Sequence, residues 1–241
     1  MHETAQDTDR IAATMRRSIQ TLVDLSREAM GDNLLALTAF GSVVATFFDR
    51  ERHTARNVLV LKRVELSGLR RLAENGEKLG KESIAAPLIM TPAYIASSLD
   101  TFPLELLEIQ QHHAVVLGDD HFENLTFEET HIRLQCEREL KRILIALRQG
   151  LLAAAGHVKR VERVERDVAE GLVRTIRGML WLKGQKRFKP AAEIVGEAES
   201  TIGRSLKGLR AALDENEVLA WPEFETLYHD VEALGEIVNA W

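Results

Sequence analysis

The sequence predicts an α+β fold: a small mixed sheet with helices over residues 1–125, followed by an all-helical bundle over residues 126–241. Three observations carry that expectation. Short apolar runs at 34–40, 57–61 and 87–91 have the length of buried strands and alternate with stretches of helical spacing. Beyond Phe127 every apolar pattern has helical period, and no strand candidate remains. No Pro/Gly/Ser-rich linker separates the halves, so they are expected to pack against each other with a cleft between them.

In chain order, Ile11, Met15, Ile19, Leu22 and Ala29 keep helical spacing, so one amphipathic helix is expected through the first thirty residues, ending at Gly31. Leu34 to Phe40 reads as a buried strand or a short approach to a turn, stopping at Gly41-Ser42, and a short helix is expected from Val43 to Phe48. A polar loop from Asp49 to Arg56 precedes Asn57-Val58-Leu59-Val60-Leu61, whose apolar, β-branched character marks an interior strand. Leu66, Leu69 and Leu72 predict a helix ending near Gly76. Pro87 to Thr91 predicts a further strand, and Pro92 the start of a short helix. Phe102 to Ile109 is expected as a strand, Ala114 to Leu117 closes the half, and Gly118-Asp119-Asp120 is a turn. Four amphipathic helices then follow: Ile132 to Leu147, Val158 to Met179, Val195 to Leu213 after Pro190, and Phe224 to Val238 after Pro222.

Composition narrows the function. With 37 acidic against 31 basic residues the net charge is −6, which speaks against nucleic acid as the partner. The single cysteine, Cys136, forms no internal disulfide and no Cys-rich zinc site, which fits a reducing compartment, so a cytoplasmic protein is expected. The start is polar and acidic, so no signal peptide is expected, and no apolar stretch is long enough to predict a membrane span.

The first chemical candidate is Ala39-Phe40-Gly41-Ser42. A glycine lets the backbone approach a ligand closely, and the serine adds a hydroxyl donor, so the turn suits phosphate; an ordinary strand-to-helix turn has the same sequence. His112, His113 and His121 lack the spacing of a metal site, and Cys136 lies on an apolar stripe, where a buried thiol is expected. Lys183, Lys186, Arg187 and Lys189 form a dense basic stretch, read either as a phosphate contact or as a solvated loop.

The order of Gly41-Ser42 turn, interior strand Asn57 to Leu61, strand Pro87 to Thr91, and the Val116-Leu117-Gly118-Asp119 ending resembles the nucleotidyltransferase superfamily. The helical second half is similar to the partner domain of minimal and kanamycin-type members. The resemblance implies that Gly41 and Ser42 hold nucleotide phosphate, with Asn57 beside them. It implies Mg²⁺ and ATP or another nucleoside triphosphate as cofactors, and Glu105 as the third acid, catalytic and metal-binding. The family's Asp-x-Asp pair is missing: its place is taken by Asn57 and Leu59, or by Arg56 and Val58 if the register slips by one. That pair clamps two Mg²⁺ ions roughly 4 Å apart. A neutral residue near a divalent ion forfeits several kcal/mol, which is on the order of a thousand-fold or more in rate. The expectation is therefore a degenerate member, a pseudoenzyme that binds a nucleotide, a small molecule or a protein partner. The alternatives are an active nucleotidyltransferase in which Asp49 joins Glu105 at the metal, and an antitoxin-like interaction module.

Overall fold

Leu34–Phe40 forms β1 and Arg56–Leu61 forms β2, both apolar along nearly their whole length because both faces of the sheet are covered. In this computed structural model, which describes residues 7–44, 48–51, 53–214, 216 and 221–241, the two strands pair antiparallel. β3 (Leu88–Met90) joins β2 in parallel and β4 (His113–Leu117) joins β1 antiparallel, so the mixed sheet has the order β3-β2-β1-β4.

Alternation along the strands sorts side chains onto two faces. Leu37, Ala39, Leu59, Leu61, Ala114 and Val116 share one core with Ile19, Leu22 and Val23 of α1 (Arg16–Met30), Leu72 of α2 (Leu66–Ala73) and Leu79 of α3 (Gly76–Lys81). Thr38, Phe40, Arg56 and Val58 point to the opposite face.

The single long helix expected at the start is shorter than its spacing suggested. Residues 1–6 lie outside the described residues, Thr8–Arg10 and Ala13–Met15 are 3-10 turns, and regular helix begins at Arg16. The cause is tertiary: Asp7 N–H donates to the Val115 carbonyl of β4 and Ala12 N–H to that of Val43, which holds this segment against the sheet. The helix expected to end near Gly76 is α2, which stops at Ala73, and a further short helix, α3, begins at Gly76. α4 (Pro92–Ser97) starts at its proline and is capped by Thr91 Oγ1, which accepts from Tyr94 N–H at 3.1 Å.

The strand expected over Phe102 to Ile109 is instead α5 (Pro103–Gln111). Leu104, Leu106, Leu107 and Ile109 are all at most 2% exposed, so buried apolar residues fall on several sides of this helix and blur its period.

By contacts the chain divides into two units, Met1–Leu99 with Glu105–Thr126, and Asp100–Leu104 with Phe127–Trp241. The second is helical among the described residues: α6 (Glu129–Ala154), α7 (Val158–Leu182), α8 (Ala191–Ile202), α9 (Lys207–Leu213) and α10 (Trp221–Asn239). The expected third helix is thus two. Gly203, at φ +67°, ends α8 in the left-handed conformation. Glu199 bridges the break by accepting from Leu206 N–H at 2.7 Å and pairing with Arg210 of α9. Those bonds hold its carboxyl down at about 2, the Arg210 bond first among the causes and outweighing the effect of burial. No helix among the described residues is long and apolar enough to cross a membrane.

Candidate functional site

β1 ends at Gly41, whose φ of +75° is easily adopted only by glycine. Its N–H donates to the His112 carbonyl at 3.0 Å, tying the turn to the segment entering β4. Gly41–Val43 is one turn of 3-10 helix, with Gly41 buried and Ser42 exposed. The helix expected from Val43 to Phe48 includes residues 45–47, which lie outside the described residues.

Beside the turn lies Arg56, the first residue of β2, paired across the ladder with Phe40. A Cβ built on Gly41 would stand 3.8 Å from Arg56 Nη1, so the glycine and the guanidinium share one small space. The guanidinium is held on two sides. Nη1 donates to Glu108 Oε1 at 2.8 Å and Nη2 to Oε2 at 2.9 Å, a bidentate pair, while its carbon lies 4.4 Å from the centroid of the Phe40 ring. Glu108 is 6% exposed and the Arg56 side chain 36%, so the pair has a buried acidic end and an accessible basic end. The acid that α5 delivers to this corner by a described ion pair is therefore Glu108. Glu105 sits one helical turn earlier on α5, on a helix and not on the expected strand.

The other expected residues lie elsewhere. Asn57 is 1% exposed on the opposite face of β2, across from Ala39, and its amide donates to the carbonyls of Ala55 and Ala85 at 3.1 and 3.0 Å. There it joins the start of β2 to the segment leading into β3. Asp49 caps its own turn, its Oδ1 accepting from Glu51 N–H at 2.9 Å. The neighbouring Arg50 reaches Ser18 of α1 and the Glu82 carbonyl after α3.

A divalent metal does not fit the head of β2. The side chains on the turn's face there are a guanidinium and, two residues on, Val58, which is fully buried opposite Thr38. Thr38 Oγ1 is itself buried without a hydrogen-bond partner among the described residues. Among the described residues no group of three or more His, Cys, Asp or Glu converges to hold a metal ion.

Along β4, His113 is opposite Phe40 and is fixed at both nitrogens, Nε2 by Asp120 Oδ2 at 2.8 Å and Nδ1 by the Gln110 carbonyl at 3.2 Å. Burial raises the Asp120 carboxyl, but the His113 bond and the Phe122 and Glu123 N–H donors together carry it below the usual carboxylate range. Gly118, in the ending that resembled the family's, has a packing role here. Its φ is +77°, and a Cβ would meet the Leu35 carbonyl oxygen at 2.0 Å.

In the helical unit three of the four cations of the basic stretch have partners close by. Lys183 lies over the Trp241 ring, Lys186 over Trp181, and Lys189 pairs with Glu197. Cys136 is buried, and desolvation, with Glu139 nearby, pushes its thiol up to about 12, so it is no nucleophile.

No protein-family model and no curated protein matches this sequence. A solved structure does: spectinomycin adenyltransferase AAD(9) from Enterococcus faecialis, determined with ATP and spectinomycin, superposes with a TM-score of 0.59. The chain has a nucleotidyltransferase-like fold. The likeness spans 92% of this chain and 98% of the adenyltransferase, at 12% sequence identity. At that identity what this nucleotidyltransferase-like chain shares with the adenyltransferase is its fold.

Proposed function

We propose that this chain is a catalytically degenerate nucleotidyltransferase-like protein that binds a nucleotide at the Gly41 end of its sheet. Nucleotide is the ligand class because the fold is shared with an enzyme whose structure holds ATP, and because the Gly41 turn stands beside a basic group. One observation supports the loss of transfer chemistry: the Arg56–Glu108 ion pair stands at the head of β2, which in the second of the two registers is the place of the first metal-binding carboxylate, and the other register puts Asn57 there. An arginine there does more than remove a ligand. Two unit charges 4 Å apart at an effective dielectric near 20 interact by about 4 kcal/mol. Exchanging attraction for repulsion at a divalent ion costs about twice what a neutral substitution would, less whatever Glu108 offsets.

Two assays test the reading. Incubation with labelled ATP, Mg²⁺ and spectinomycin should release no pyrophosphate above a blank, while ATP at a hundred times its Kd should stabilise the fold by about 2.7 kcal/mol. Mg²⁺-dependent pyrophosphate release that disappears in Glu105→Gln or Asp49→Asn would overturn it in favour of an active transferase. Melting indifferent to nucleotide, together with a stoichiometric protein partner on purification, would overturn it in favour of an interaction module.

A further inference from the structure

Resting on that nucleotide-binding reading, we propose that the chain supplies its own cation for phosphate: the guanidinium of Arg56, clamped at the Gly41 turn, takes nucleotide phosphate oxygens directly, with no divalent metal between them. The geometry is that of a held donor. Glu108 engages one N–H on each Nη, which leaves three of the five guanidinium N–H groups for a ligand. Phe40 covers one face of the group, so the fork is restrained in both rotation and position before any ligand arrives. The side chain remains 36% exposed although its partner carboxylate is buried, so the ligand side is the basic side. Gly41 puts no side chain beside Nη1, where a Cβ would stand 3.8 Å away in ordinary contact. Ser42, exposed on the same turn, adds a hydroxyl that can donate to a phosphate oxygen.

Glu108 cancels the net charge of Arg56, and that has a consequence for affinity. The attraction is made by directed, charge-assisted hydrogen bonds and not by a long-range field, so binding is of modest strength and only weakly dependent on salt. A metal-bridged triphosphate behaves in the opposite way, because there the ion provides the field and chelation abolishes it.

Calorimetric titration of the full chain with ATP and with inorganic tripolyphosphate, each in excess Mg²⁺ and in EDTA, tests the proposal. Removing Arg56 alone would leave Glu108 buried and uncompensated, so the variant of choice is Arg56→Gln combined with Glu108→Gln, with Arg56→Lys as a charge-keeping control and melting curves to confirm folding. Both ligands should bind in EDTA within about three-fold of their affinity in Mg²⁺, as expected when the donor is protein. The double variant should weaken both by roughly ten-fold or more, and Arg56→Lys should fall between. Binding of ATP that requires Mg²⁺, that survives the double variant, or that has no tripolyphosphate counterpart would overturn the inference and leave the nucleotide reading standing. Absence of ATP binding under both conditions would overturn the two together.

Discussion

Glu165, in the middle of α7, offers a test of the second unit that depends on no ligand. It is fully buried, and neither carboxylate oxygen has a hydrogen-bond partner among the described residues. Desolvation raises its carboxyl to about 7, with Glu223 of α10 and Glu162 adding to the rise and Arg166 opposing it. In the unfolded chain the same group ionises near its ordinary 4.5. The native state therefore holds a proton that the unfolded state has released, and stability falls as pH rises from about 4.5 to about 7, then levels off. A rise of roughly two and a half pH units at about 1.4 kcal/mol each gives a penalty of about 3 kcal/mol, an upper bound because the surroundings relax around the charge. Glu165→Gln removes the ionisation and keeps the shape. At pH 8 the variant should melt higher than the parent by about 5 °C or more, using roughly 2–4 °C per kcal/mol for a chain of this size. At pH 4 the two should coincide. Paired thermal melts between those limits read the difference directly, since every other titrating group is common to both proteins. A difference that does not vary with pH, or a variant less stable at pH 8, would show that the carboxylate is charged and satisfied, and the reasoning would fail.

Three further outcomes follow from packing. Thr38→Val exchanges a buried hydroxyl lacking a partner for a methyl of nearly the same volume and should raise stability in denaturant titration by about 1 kcal/mol, with no change in the m-value. Gly208→Ala on α9 would place a Cβ 2.2 Å from Leu227 N and 2.4 Å from Leu227 Cα of α10, and should cost about 2–3 kcal/mol; Gly171→Ala on α7, where a Cβ meets nothing within 4 Å, should instead gain about 0.5–1 kcal/mol.

The central strands were legible because burial on both sides leaves a plain signal. Leu34 to Phe40 and Asn57 to Leu61 contain almost nothing polar, and short apolar runs bounded by Gly41-Ser42 and a polar loop have few other uses. The same property concealed α5. Buried apolar residues on several of its sides blurred the helical period, and Leu104 to Ile109 then looked like one more interior strand. Pro103 at the first helical position was the available counter-signal. The break at Gly203 could have been read too, from a glycine followed by Arg204 and Ser205 inside an otherwise periodic stripe.

At the candidate site, sequence reasoning found what was missing and missed what replaced it. The lack of an acid at positions 56–59 can be seen one residue at a time, because it concerns residue type alone. The partnership of Arg56 with Glu108 spans 52 positions and depends on α5 being a helix. Read as a strand, Phe102 to Ile109 put Glu105 and Glu108 on opposite faces and made Glu105 the natural choice. Read as a helix, the two are three residues apart and nearly aligned, and the buried one is the one that an arginine neutralises. The two charges are also required together. A carboxylate as buried as Glu108 is costly unless paired, and an arginine at the head of β2 with no acid behind it would lose the contact that fixes its fork. Their coupling in a double-mutant cycle should accordingly be large, on the order of 2–3 kcal/mol, with either single neutral variant less stable than the double.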